Sequence, residues 1–142
     1  MSSLFHPGRE GFLTGEIVWK PSAAVIKAAL LRGYTFNNSH KFDSQVTGAG
    51  GEMVPTATLT GLTFANGVAG ADDVTYTAVA EGTAIPHILL FMASAVGGGA
   101  DVATTSQRLI GLIDQANGLP CVPNGEDINV SWNPGADRIF RL

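Results

Sequence analysis

Cysteine, histidine and paired acids are the residues from which a small protein most often builds chemistry, and in this chain they are few and far apart. Cys121 is the sole cysteine, so it can form no internal disulfide. It sits between Pro120 and Val122 with no neighbouring base to lower its pKa, and it reads as an inert thiol. A zinc centre needs three or four converging soft or imidazole ligands, and His6, His40 and His87 are widely separated in sequence. His40, close to Phe42, reads as a capping or packing group. Asp72-Asp73 and Glu126-Asp127 could ligate a hard cation at strand ends, but neither pair has the spacing of a calcium loop, and both read as turn-forming acids. The run Gly48-Ala49-Gly50-Gly51-Glu52-Met53 begins like a dinucleotide fingerprint, yet Met53 stands where the third glycine belongs, and a strand follows rather than a helix. No Walker loop and no Gly-x-Ser-x-Gly elbow occurs. Asn37-Asn38-Ser39 and Asn129-Val130-Ser131 match the glycosylation acceptor pattern, which is short enough to arise by chance. The expectation is a protein that is not an enzyme and carries no cofactor and no metal.

Such residues must be held by elements, and composition bounds what those are. The chain has 142 residues, 45% of them hydrophobic and only 14% charged, against about 25% charged in typical domains. That length suits one domain, able to bury about two-thirds of the surface its unfolded chain exposes. Low charge suggests that more surface is hidden than a monomer hides, as in a subunit of an assembly. The net charge is −4, and the eight basic residues are scattered from Arg9 to Arg141, which argues against nucleic-acid binding. The longest apolar run, Ile85 to Val96, contains Pro86 and His87 and falls short of the roughly 20 residues a bilayer requires, so no membrane partner is expected. Pro7, Gly8, Arg9 and Glu10 interrupt the N-terminal stretch where a secretory signal would be apolar, so synthesis and folding in a cytoplasm are expected.

Along the chain, residues 1–11 read as an irregular N-terminal arm with Leu4 and Phe5, followed by Phe12, as its anchors. It either docks on a neighbour or frays. Residues 12–142 read as a single β domain. Strands are expected at Glu16–Trp19, Ile26–Leu31, Glu52–Thr60, Val74–Val79, Ile85–Ala93, Arg108–Ile113, Ile128–Trp132 and Arg138–Leu142. Ile26–Leu31 is ambiguous: Ser22 could cap a helix stopped by Gly33, and Ala, Leu and Lys favour one. Weak amphipathicity and the following Tyr34-Thr35-Phe36 favour a strand. Asn37 to Val46 suits a short helical turn capped by Ser39, with Phe42 and Val46 inward. Asn66-Gly67 should turn a hairpin between Leu62–Phe64 and Val68, and Gly97 to Gly99 opens a loop running to about Ser106. Turns are expected at Gly118-Leu119-Pro120, Pro123-Asn124-Gly125 and Asn133-Pro134-Gly135. Trp19 and Trp132, on predicted strands, read as core or interface anchors. The fold expected is all-β: a single-domain sandwich or barrel of about eight short, mostly antiparallel strands with at most one or two short helices.

The order and spacing of many of these residues resemble a family of small virion structural proteins of tailed bacteriophages, encoded among head genes. The resemblance runs from about Phe12 to Leu142. It rests on Ile17 and Trp19, Ile26 to Leu31 with Gly33-Tyr34-Thr35-Phe36, His40 and Phe42, then Leu59, Gly61, Asn66-Gly67-Val68-Ala69 and Ala71-Asp72-Asp73-Val74-Thr75-Tyr76. It continues with Arg108-Leu109-Ile110, Ile113-Asp114, Gly118-Leu119-Pro120, Pro123-Asn124-Gly125, Trp132 and Ile139-Phe140. The Ala23-Ala24 pair departs from that pattern and keeps a short helix open there. The resemblance implies a capsid decoration or cement protein on the virion's capsid exterior, made in the host bacterial cytoplasm. Its implied partners are the major capsid protein and further copies of itself, with a trimer favoured. Candidate interface residues are Leu4, Phe5, His6, Arg9 and Phe12 of the arm region and Gly97, Gly98 and Gly99 of the loop. A tail- or fibre-associated glycan- or receptor-binding module is the alternative.

Overall fold

The computed structural model describes residues 3–114, 116–132, 134 and 138–142. In chain order they form β1 (Ser3–Leu4), α1 (His6–Thr14), β2 (Val25–Arg32), α2 (Asp43–Gly48), β3 (Glu52–Thr58), β4 (Thr63–Ala65), β5 (Val68–Gly70), β6 (Val74–Tyr76), β7 (His87–Ser94), β8 (Arg108–Ile113), β9 (Ile128–Val130) and β10 (Phe140–Arg141). The architecture is that of an all-β domain, sandwich-like, with two short helices.

β2 and β7 decide the arrangement, because both are apolar at nearly every position and need cover on two faces. They lie side by side inside a five-stranded antiparallel sheet of order β1-β8-β7-β2-β3. On one face Ile26, Ala28, Leu30, Ile88, Leu90 and Ile110 meet Val74 and Tyr76 of β6, Ala69 of β5, Trp132 and Phe140 in one core. Apart from Trp132, which follows β9, those partners come from two small sheets, β10-β5-β4 and β6-β9, which form the second layer. The buried Tyr76 hydroxyl donates to the carbonyl of Ala28 at 2.8 Å and ties the layers together. On the other face Ala29, Leu31, Leu89, Phe91, Leu109 and Leu112 pack beneath Phe5, Tyr34 and Val46.

Several expected elements appear where the sequence placed them. Ile26–Leu31 is strand despite its helix-favouring composition, since pairing with β3 and β7 on both sides outweighs propensity worth a few tenths of a kcal/mol per residue. Asn66 and Gly67 take φ of 53° and 77° and close the β4–β5 hairpin, a two-residue turn with both central residues left-handed. β3, containing Pro55, lies at a sheet edge.

Other expectations are corrected. Residues 3–11 are not an irregular arm. Ser3 and Leu4 pair with Leu112 and Gly111 of β8, and α1 follows with its end turned by Gly15 at φ 78°. Glu16–Trp19 forms no strand. The chain leaves Gly15, Ile17 donates through its backbone N–H to the carbonyl of Gly11, and Ile17 and Trp19 are buried from an irregular segment that pairs with no strand among the described residues. The helix expected within 37–46 begins only at Asp43. Gln45 Oε1 accepts from the backbone N–H groups of Lys41 and Phe42, while Ser39 bonds Asn37 instead of capping. In β6 the inward alternation covers Val74 and Tyr76 but breaks at Ala78, which is exposed with φ 48°. Ile128–Trp132 and Arg138–Leu142 are strand only over β9 and β10. Of the turn expected at Asn133-Pro134-Gly135, Asn133 and Gly135 lie outside the described residues.

Candidate functional site

Arg9, Phe12 and Leu13 stand at i, i+3 and i+4 of α1, a spacing that gathers them on one stripe of a helix. The other stripe is bare. A methyl group on Gly8 would stand 2.8 Å from the carbonyl oxygens of Leu109 and Ile110, and one on Gly11 would meet Ile17, so these glycines let α1 lie directly on β8. The buried guanidinium of Arg108 fixes the helix further, pairing through Nη1 with Glu16 and donating through Nη2 to the carbonyl of Pro7 at 2.6 Å.

With α1 held this way, its outer stripe faces β10 and the β4–β5 hairpin. Between them runs an apolar groove in two adjoining parts of about 250 and 230 Å³, both lined by Phe12 and Leu142. Trp19, Phe64, Val68 and Phe140 complete the first part, and Arg9 and Leu13 the second. The ring of Phe140 lies 5.8 Å from that of Phe12 and 5.1 Å, edge-on, from that of Trp19, so the groove floor is an aromatic cluster continuous with the core. Its walls are exposed: Leu13 is 88%, Phe64 62% and Leu142 56% accessible. Scattered apolar residues on a surface are ordinary, whereas three of this size around one groove mark a contact site. Arg9 is the charged side chain that lines it, exposed and without an ion-pair partner among the described residues.

The eight candidate interface residues fall into separate groups. Leu4 and Phe5 are buried at 7% and 0% exposure, Phe5 with its ring 5.0 Å from that of Phe36, so they anchor the protein's own N-terminal segment. His6 is exposed at the start of α1, and its N–H donates to the carbonyl of Asn38. Arg9 and Phe12 come together in the groove. Gly97, Gly98 and Gly99 lie beyond β7, where Gly97 packs against the backbone of Ser22 and Gly99 N–H closes a turn onto Val96. Among the groove residues that sequence reasoning missed are the three exposed ones, Leu13, Phe64 and Leu142. The signal for Leu13 was its adjacency to Phe12, legible only once residues 6–14 are read as a helix.

Several of the ionisable groups elsewhere brace the fold. Asp72 accepts from Thr60 Oγ1 and Asp73 from the backbone N–H of Trp132, while Asp127 accepts from the backbone N–H of Ala78. Burial pushes the Cys121 thiol pKa up, which disfavours the thiolate, and pushes the His87 imidazole down. His40 Nδ1 pairs with the Tyr34 hydroxyl at 2.9 Å, beside an open polar depression of about 560 Å³. Asp43 is fully buried at the start of α2 with neither carboxylate oxygen bonded, and burial raises its pKa to about 6. Among the described residues no group of three or more His, Cys, Asp or Glu is placed to hold a metal ion, and no helix is long and apolar enough to cross a membrane. The arrangement is suited to burying apolar surface of another molecule. Comparison with protein-family models, with curated proteins and with solved structures finds no match to this chain.

Proposed function

We propose that the chain is a virion structural protein of a tailed bacteriophage: a capsid decoration or cement protein that binds the outside of the major capsid protein lattice and stabilises the head. It works by adhesion rather than by catalysis, in the virion, as a homo-oligomer for which a trimer is favoured. The observation that carries this reading is the exposed apolar groove around Leu13, Phe64 and Leu142 on a domain whose main sheet is buried on both faces. A rigid body with one adhesive surface suits a part that repeats one modest contact many times over a shell, because many weak contacts sum to tight retention. The sequence resemblance to small phage virion proteins points the same way, and the net charge of −4 suits a position away from packaged DNA.

The test is the number of copies per virion, measured by quantitative mass spectrometry on purified particles of the phage that encodes the chain. Hundreds of copies are expected for a shell component. A handful of copies identifies a tail or fibre part, and absence from the particle removes the virion role altogether.

A further inference from the structure

The open polar depression beside His40 shares no lining residue with the groove. Its volume of about 560 Å³ lies within the usual range of small-ligand sites, and Thr35, Phe36, Asn37, Asn38 and His40 supply its side-chain chemistry. Several of its polar groups are fixed in direction by bonds made on their far sides. Asn37 Oδ1 accepts from the backbone N–H of Ser39 at 3.0 Å and from the Ser39 hydroxyl at 2.7 Å, which orients the amide and leaves Nδ2 as a donor. The Tyr34 hydroxyl oxygen accepts from the backbone N–H of Asn37 at 3.2 Å, and its proton goes to His40 Nδ1 at 2.9 Å. A neutral imidazole that accepts at Nδ1 carries its own proton on Nε2, so His40 offers a second donor. The Asn38 amide and the Thr35 hydroxyl are exposed, have no partner among the described residues, and can both donate and accept. The half-buried Phe36 ring, braced by the Phe5 ring 5.0 Å away, adds apolar surface. No Asp, Glu, Lys or Arg lines the depression.

These groups set the chemistry of a ligand. A phosphate or carboxylate would call for a cation, and none is present. A purely apolar molecule would cover the unspent donors and leave them unpaired, which costs free energy. A sugar meets both conditions, because its hydroxyls donate and accept while a C–H face of its ring covers an aromatic surface. We propose that this depression binds an uncharged sugar residue, with its hydroxyls bonded to Asn37 Nδ2, the Asn38 amide and His40 Nε2 and a C–H face against Phe36. The site is independent of the groove and of the virion role proposed above.

The test uses the full chain, isotope-labelled for NMR, titrated separately with N-acetylglucosamine, glucose, galactose and inorganic phosphate. At least one sugar should give saturable shifts confined to the amides of residues 34–40 and 49, with a dissociation constant of about 1 mM, as expected for a ligand of that size. Phosphate should give none there. Asn38→Ala removes an exposed side chain and keeps the backbone carbonyl that accepts from His6, so the fold should stand while the sugar binds about fivefold more weakly. A long-range proton–nitrogen spectrum of His40 in mildly alkaline buffer should place the ring proton on Nε2. The proposal is overturned if none of the three sugars shifts these amides at about fifty times the expected dissociation constant, if phosphate binds there as tightly as the sugar, if Asn38→Ala binds unchanged, or if the His40 proton lies on Nδ1. No virion enters this experiment, so a failed copy-number test leaves its outcome intact, and a failed titration leaves the copy-number result intact.

Discussion

Asp43 shows how a single residue can act against the fold that contains it. Its carboxyl is buried with no hydrogen-bond partner, and desolvation raises its pKa from the ordinary 3.8 to about 6. The native state therefore keeps a proton that the unfolded chain releases near pH 4. Between those values the native state binds more protons, so this group's contribution to stability falls as pH rises from about 4 to about 6 and is level above. Urea unfolding of the protein and of Asp43→Asn across this range should show their stability difference changing by up to about 1 kcal/mol per pH unit; a flat difference contradicts the assignment. Nothing in the residue pattern singled out this carboxyl, because Asp43 lies in a polar stretch where the inward positions are those of Phe42 and Val46. Cys121 and the acid pairs were legible, since a lone thiol and adjacent turn acids need no tertiary information to be read as structural.

At the scale of elements, α1 is the piece on which the groove depends, and it was the least legible. Residues 6–14 contain Pro7, Gly8 and Gly11, which suggest an irregular arm, and the helix forms because β8 offers a surface that only glycines can approach closely. Gly8→Ala should raise helix propensity yet destabilise the protein by about 1–3 kcal/mol, because the added methyl meets the backbone of Leu109 and Ile110 at 2.8 Å. A stabilised variant would show that α1 does not lie on β8 as described. β2 is the opposite case. Its propensity favours a helix, but Tyr34-Thr35-Phe36 after Gly33 and the weak amphipathic pattern were enough to read a strand. Glu16–Trp19 misled because Ile17 and Trp19 alternate as in a strand while being buried from an irregular segment after α1 that pairs with no strand among the described residues.

For the whole molecule, alternation and turn residues made the all-β sandwich readable, while the groove was not. Phe12, Leu13, Phe64 and Leu142 are distant in sequence, and only the docking of α1 beside β10 and the β4–β5 hairpin gathers them. Low charge pointed to hidden surface without saying where it lies. Under the proposed function, that hidden surface is the groove and it lies against a capsid. Cryo-electron microscopy of the virion tests both together. Density for this fold is expected on the outside of the head, repeated across the lattice, with α1 and the β4–β5 hairpin turned toward the major capsid protein. Density confined to the tail, or a head-bound domain with this groove facing solvent, would contradict it.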